Sequence, residues 1–406
     1  MAGALVRKAG SQSASGGARA WAAAFQQQES LLLGDHGDLG FEKSGGVRYS
    51  SSLAVSGSHR PVKRGTGGRS SVSGVVATVF GATGFLGRYV VQQLARMGSQ
   101  VMVPYRGVDE EWRHLKLMGD LGQIVPMKYD AKDEDSIKAV IANSNVIVNC
   151  IGREYETRNF SFEDVNYGIS NRISKLAKEH GGILKYVQMS CLAAAPHSSS
   201  RLLRSKHAAE EAVLQNFPEA TILRTAPMVG VEDRLLNRWA IQAKKLPVVP
   251  IPGDGLSKLQ PVLVIDVAAA VIAAIRDEGF SMGKTFELGG PDVFTVNELI
   301  ALMFEAIREY PRMVHLPMAL CQLLAMPREM AMKRGIPIPF SPTFSKDYLD
   351  QLACDLIVSP DAMGLADLGV TSHKIGGLTI EHLNAYRTGG PSVGTTVGES
   401  IHGAGF

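Results

Sequence analysis

The sequence predicts an α/β fold, a doubly wound parallel sheet followed by a small C-terminal subdomain. Three observations predict it. Short apolar and β-branched runs alternate with amphipathic helical stretches from Val75 to Ile307. The first run leads directly into three glycines spaced G-x-x-G-x-x-G, at Gly81, Gly84 and Gly87. Polar residues suited to a ligand recur just beyond the ends of the runs. Strands alternating with helices imply a parallel sheet with right-handed crossovers, and ligands of such sheets lie at the carboxyl ends of the strands.

The elements follow in order. Val75–Phe80 is a short continuous apolar run, as expected of a strand buried on both faces. After the glycines comes an amphipathic helix, Arg88–Met97, closed by Gly98, and then a strand, Gln100–Pro104. Trp112–Met118 reads as helix, Gln123–Lys128 as strand, Asp133–Ala142 as helix and Asn145–Cys150 as strand. Phe162–Glu179 is a long helix, and Leu184–Met189 a strand ending at Ser190. Ala220–Arg224 is strand-like. Val267–Ile275 is a helix with Asp266 placed to cap it, and Thr285–Gly290 and the helix Val296–Ile307 continue the pattern.

The glycines each have a physical task at a strand-to-helix turn. The first permits the tight turn, the second lets the backbone approach a pyrophosphate, and the third allows close packing of helix on strand. The helix N-terminus then offers free N–H groups and a positive dipole end to phosphate. With a strand before and a helix after, the motif predicts a Rossmann-type dinucleotide site that includes Gly81, Thr83, Gly84, Phe85, Leu86 and Gly87. The end of the second strand chooses the nucleotide. An NAD site usually carries an acid there for the ribose 2′-hydroxyl. Val103-Pro104-Tyr105-Arg106 has none, and the Arg106 guanidinium suits a 2′-phosphate, so Tyr105 and Arg106 favour NADPH. Asp130 is placed to meet the adenine edge, and Ile151 and Gly152 to open the loop beside the nicotinamide.

The glycine motif, Asp130, the loop at Cys150–Gly152, Ser190 and Lys206 together resemble the extended or atypical branch of the short-chain dehydrogenase/reductases, over about residues 75–310. The resemblance implies a Ser, Tyr and Lys set, with tyrosine four residues before lysine as proton donor. Here that position is Leu202, in Arg201-Leu202-Leu203-Arg204-Ser205-Lys206. Leucine carries no transferable proton, and general acid–base help is typically worth ~10²–10⁴-fold. No tyrosine lies between Tyr186 and Tyr310; Tyr155 and Tyr167 would need unusual geometry. Ser190 and Lys206 remain as pocket and ribose contacts, and Thr225-Ala226-Pro227 resembles the segment that flanks the nicotinamide, with Pro227 in the site. No residue is assigned a catalytic role.

Within that branch the chain resembles the NADPH-binding accessory subunits of mitochondrial respiratory complex I. That resemblance implies a structural NADPH, other complex I subunits as partners, and a peripheral position on the matrix side of the inner membrane. Two other functions stay open: an NADPH-dependent reductase or epimerase with a displaced proton donor, and a module that binds RNA or a regulatory partner.

The flanks agree with an organellar protein. Residues 1–28 carry Arg7, Lys8 and Arg19 and no acid, and residues 51–74 carry Arg60, Lys63, Arg64 and Arg69 and no acid. A basic, Ser-rich, acid-poor leader without a long apolar core is the profile of a transit peptide. Glu29, Asp35, Asp38 and Glu42 dilute it in between. Arg48, two residues before a cut after Tyr49, favours mitochondria over the chloroplast. The expected division is a targeting leader and linker (1–74), the NADP-binding domain (75–230), a substrate-like or docking subdomain that returns to the sheet (231–387), and a flexible Gly/Ser/Thr-rich tail (388–406). Residues 312–345, rich in Met, Leu and basic residues, can lie on an anionic membrane surface or cover the chain's own subdomain.

Composition excludes several classes. Of 406 residues, 45% are hydrophobic and 20% charged, which is ordinary for a globular protein with a sizeable core. A net charge of +3, much of it in the leader, argues against nucleic acid. Cys150, Cys191, Cys321 and Cys354 show no C-x-x-C and no metal-ligand spacing, so reduced thiols and no metal are expected. The nearest approach to a spanning helix, Met313–Met326, is broken by His315, Pro317 and Gln322 and is too short to span a bilayer.

Overall fold

Strand β1, Val76–Phe80, is buried along its whole length, as a run with no polar alternation must be when both faces of a sheet are covered. The structure is a computed structural model, and it describes residues 71–335 and 345–387. The expected leader through residue 70, residues 336–344 and the expected tail lie outside the described residues.

Six further strands pair with β1: β2 Gln100–Tyr105, β3 Ile124–Lys128, β4 Val146–Asn149, β5 Lys185–Cys191, β6 Thr221–Thr225 and β7 Thr285–Leu288. The order is β7-β6-β5-β4-β1-β2-β3 and every pair is parallel. The order reverses between β1 and β4, which register Phe80 opposite Asn149. That reversal opens a crevice at the carboxyl ends of the strands, where doubly wound sheets bind ligands.

Helices α1 Phe85–Arg96, α2 Glu134–Ile141, α3 Ile169–His180, α4 Arg201–Asn216, α5 Leu236–Lys245, α6 Val264–Arg276 and α7 Val296–Ile307 cover the sheet and build the second layer. Among the apolar cores of the described residues, two frame the fold. One lies under the sheet around Phe80, Ile137, Ile147, Ile173 and Tyr186. The other, around Trp239, Leu299, Met303, Phe304 and Leu383, is made entirely of residues after 228. Thr295 caps α7 with a reciprocal box: its hydroxyl accepts from Glu298 N–H, and the Glu298 carboxylate accepts from Thr295 N–H at 2.7 Å.

Four local expectations are corrected. The first helix begins at Phe85 rather than Arg88, because Gly84 N–H closes a turn on the Gly81 carbonyl at 2.9 Å and Gly87 enters the first helical turn. Trp112–Met118 is not one helix but a single α turn, Glu110–Arg113, followed by a 3₁₀ turn, His114–Met118. The long helix after Phe162 opens with a wide π-type turn, Glu163–Gly168. Asp266 does not cap α6. It sits inside the first turn, and its carboxylate accepts the backbone N–H of His373 at 2.8 Å and pairs with that residue's Nδ1 at 2.7 Å.

Near the C-terminus, Met313–Leu316 pairs parallel with Val249–Pro252, and helices α8 Met318–Lys333 and α9 Lys346–Leu352 follow. No helix among the described residues is long and apolar enough to cross a membrane.

Candidate nucleotide site

The site begins at the β1–α1 turn. Gly81 holds a left-handed φ of +79°, and a Cβ there would come within 3.0 Å of the Cys150 carbonyl group on β4's extension. At Gly87 a Cβ would strike the Gly81 carbonyl oxygen and lie 2.7 Å from Ala82 Cα. These two positions need glycine for different reasons, the first for conformation and both for close approach. Gly84 caps α1 without a side-chain hydrogen bond, and the first turn holds no acid, so the helix end offers its N–H groups and dipole outward.

The loop after β4 is fixed from below. The Asn149 carboxamide oxygen accepts from Ile151 N–H at 3.1 Å, while its NH₂ donates to Gln188 Oε1 at 2.9 Å and Ser170 Oγ at 3.1 Å. This buried network locks the floor of the crevice. Sequence reasoning missed it, because Asn149 and Gln188 become partners only once β4 and β5 lie in register. Lys206, on α4, donates to the Ile151 carbonyl at 3.3 Å, and a Cβ on Gly152 would be 2.8 Å from its Nζ. Burial draws the Lys206 ammonium below its usual range. Among the described residues no carboxylate lies within ion-pair distance of it.

Gly81, Gly84, Phe85, Leu86, Gly87, Gly152, Ser190, Lys206 and Pro227 line one cavity of about 290 Å³. Leu202 lines it too, one turn before Lys206 and only 5% exposed. Among the described residues, the Ser190 hydroxyl buried there has no hydrogen-bond partner, and neither has the buried Asn166 Oδ1 beside Gly152. Cys150 and Cys191 also line the cavity, and burial pushes their thiols up to about 12 and about 11, so they stay protonated and poorly nucleophilic.

The other five predicted residues lie outside the cavity lining. The Thr83 carbonyl accepts from Arg88 Nε at 3.2 Å. Ile151 contributes its backbone to the loop above. Tyr105 donates its hydroxyl to Asp109 at 2.8 Å. Arg106 is exposed at the end of β2, its guanidinium 5.6 Å from the centre of the Phe160 ring. Asp130 is exposed past β3, and its carboxylate accepts from Lys132 N–H at 2.9 Å.

The far wall of the cavity comes from residues no motif had marked. Helix α9 and the segment after it, where Leu356 bridges to Leu259, bring in Tyr348, Gln351, Leu352 and Leu356. Asp347, with a side chain 3% exposed, ties α9 to the start of α4: it accepts from Arg201 N–H at 2.9 Å and pairs with the Arg201 guanidinium at 2.9 Å. Arg238 stacks on the Tyr348 ring at 4.1 Å from its centre. Burial pushes the Tyr348 phenol up. Tyr155 and Tyr167 do not line the cavity.

A parallel sheet with a switch point, a glycine turn at it and a lysine beneath the facing loop define an α/β protein of the Rossmann type. The chain belongs to the NAD dependent epimerase/dehydratase family, whose model matches residues 77–289. It is 58% identical over 355 residues, 87% of this chain and 88% of the other, to NADH dehydrogenase (ubiquinone) 1 alpha subcomplex subunit 9, mitochondrial, of Arabidopsis thaliana. The protein of the same name from Mus musculus is 42% identical over 331 residues, 81% of this chain and 85% of that one. Among solved structures, UDP-glucuronic acid 4-epimerase from Bacillus cereus, in complex with UDP-glucuronic acid and NAD, matches with a TM-score of 0.52 at 14% identity, covering 68% of this chain and 99% of that chain. That likeness concerns the fold alone.

Proposed function

We propose that the chain is a non-catalytic accessory subunit of mitochondrial respiratory complex I that holds NADPH structurally. The observation that carries the non-catalytic part is Leu202, buried in the same cavity as Ser190 and Lys206, where the resemblance calls for a proton donor. The relatives named as complex I subunits support the assembly, and the basic leader supports a mitochondrial address.

The residues fit a dinucleotide. The glycine cradle leaves room that a Cβ at Gly87 would fill, the buried Ser190 hydroxyl lacks a partner among the described residues, and Lys206 is a half-buried cation that, beyond its bond to the Ile151 carbonyl, has N–H groups to offer ribose hydroxyls. Nicotinamide supplies hydride chemistry when bound. The chain's own groups around it orient the ring and exclude water, and none of the motif positions moves a proton. Arg106, in place of an acid, supports NADPH over NADH.

We place the chain peripherally on the matrix side of the inner membrane, and α8 supports the peripheral contact. Its Leu323 and Leu324 are 60% and 64% exposed, with Leu320, Met326 and Met330 also exposed, and Arg328, Lys333 and Arg334 close by in sequence. Such a face suits an anionic lipid surface or a neighbouring subunit.

A second reading, a working reductase, is favoured by one observation: Tyr348 lines the cavity. Its raised phenol makes it a poor acid near neutral pH.

The test is native electrophoresis of detergent-solubilised mitochondrial membranes, blotted for this chain, with nucleotide extracted from the band. Comigration with NADH dehydrogenase activity and recovery of NADPH are expected. A free, soluble species that oxidises NADPH with a carbonyl substrate would overturn the proposal, and loss of that turnover in Tyr348→Phe would identify the donor.

A further inference from the structure

Beyond the glycine turn, the structure gathers two cations around one aromatic ring. Phe160 ends a tight turn in the loop after β4, where Thr157 N–H donates to the Phe160 carbonyl at 3.0 Å and Phe160 N–H returns to the Thr157 carbonyl at 3.4 Å. The turn carries the half-buried Phe160 ring to the ends of β2 and β3. Arg106, just past β2, sets its guanidinium 5.6 Å from the ring centre, and Lys132, just past β3, sets its ammonium 4.8 Å from the same centre. Nothing in the spacing of Arg106, Lys132 and Phe160 along the chain announces this meeting.

Two like charges on neighbouring strand ends repel each other. The ring's negative face draws both in, but it does not neutralise them. The nearby acids are otherwise engaged. Asp130 accepts from Lys132 N–H. Asp164 takes the Ser161 N–H at 3.0 Å and the Ser161 hydroxyl at 2.8 Å. Of the acids that follow Arg106, Asp109 takes the Tyr105 hydroxyl, and Glu111 folds its carboxylate back against Gly107. Among the described residues, neither Arg106 nor Lys132 has a carboxylate within ion-pair distance. Lys132 feels the Asp164 charge at longer range, but a guanidinium fork and a point-charge ammonium held on one ring, neither in an ion pair among the described residues, are complementary to a phosphate monoester of charge near −2.

We infer that Lys132 and Phe160 are part of the nucleotide site: Lys132 is a second ligand of the 2′-phosphate beside Arg106, and Phe160 is the residue that positions both. This rests on the reading that the site holds NADPH. Lys132 selects through charge, so its removal weakens NADPH and leaves NADH alone. Phe160 acts through the two cations, so its truncation gives the same selective loss.

The test uses the full-length protein, titrated with NADPH and with NADH by nicotinamide fluorescence. Wild type is expected to prefer NADPH. Lys132→Gln and Phe160→Leu are each expected to reduce that preference by roughly tenfold, the size of one charge-assisted contact, with NADH affinity unchanged. Lys132→Arg is expected to retain it. Preference unchanged in both variants, or NADPH and NADH weakened together, would overturn the inference while leaving the NADPH reading intact. Failure of wild type to bind either nucleotide would overturn that reading itself.

Discussion

At the scale of single residues, the glycine turn is the most demanding part of the molecule. Gly87→Ala places a methyl group against the backbone of Gly81 and Ala82, neither of which is a flexible side-chain end. Overpacking of this kind costs about 1–3 kcal/mol. Thermal unfolding of that variant is expected several degrees below wild type, with weaker NADPH binding in the same preparation. Leu202 is the opposite case, a buried apolar side chain in the cavity at the position where the resemblance calls for a proton donor. Both were legible in the sequence, because each sits at a fixed offset from a motif residue. Asn149, Gln188 and Ser170 were not. Their amide and hydroxyl groups look like scattered polar residues until β4, β5 and α3 bring the Asn149 amide within 3.1 Å of both partners. Asp266 stands in sequence where a helix cap is expected, yet its carboxylate is claimed by His373, 107 residues away.

At the scale of elements, two contacts tie local structure to pH. The Lys185 ammonium closes the C-terminal end of α6, donating to the Ala274 carbonyl at 2.8 Å, to the Asp277 carbonyl at 2.6 Å and to the Asp277 carboxylate. Burial alone would raise the Asp277 carboxyl, but hydrogen bonds from Lys185 and Ser281 outweigh it and hold the group below its ordinary range. Its contribution to stability is therefore complete above about pH 4 and is lost as pH falls through the lower folded value. His114 lies in the 3₁₀ turn beside α1. Burial, helped by the Arg88 charge, lowers its imidazole from 6.5 to about 4. The folded state thus keeps it neutral where the unfolded chain protonates it, and stability falls between pH 6.5 and about 4. Denaturant titrations across pH are expected to show both windows. His114→Asn should flatten the upper one and Asp277→Asn the lower one; slopes that do not change would count against these two groups. The strands of the sheet were legible as apolar runs, since burial on both faces leaves a simple signal. The helix entries were less so. The wide turn Glu163–Gly168 breaks the α period just where Asn166 is buried and donates to Ser205 Oγ at 2.9 Å, a tertiary demand that no local propensity reports.

At the scale of the whole molecule, the cavity has two owners. The first part of the chain builds its polar end, and residues 348–356 build its apolar wall. Asp347→Asn removes one charge from a pair whose arginine is half exposed, so the expected cost is about 1–3 kcal/mol rather than the full price of a buried pair. Limited proteolysis of this variant is expected to release the C-terminal segment sooner than in wild type, while NADPH binding is largely retained. Equal resistance to protease would show that Arg201–Asp347 does not hold α9 in place. This closing contact was illegible in the sequence because its partners stand 146 residues apart. The position of β7 has a further consequence, for the order of assembly. A chain made from its N-terminus, or threaded through a membrane pore in that direction, carries six of the seven strands before Thr285–Leu288 arrives. Until then β6 is a bare edge, open to pairing with other chains. The wall at Tyr348 arrives later still. The crevice therefore has its widest mouth while the polypeptide is unfinished, and a large ligand meets the least obstruction at that stage.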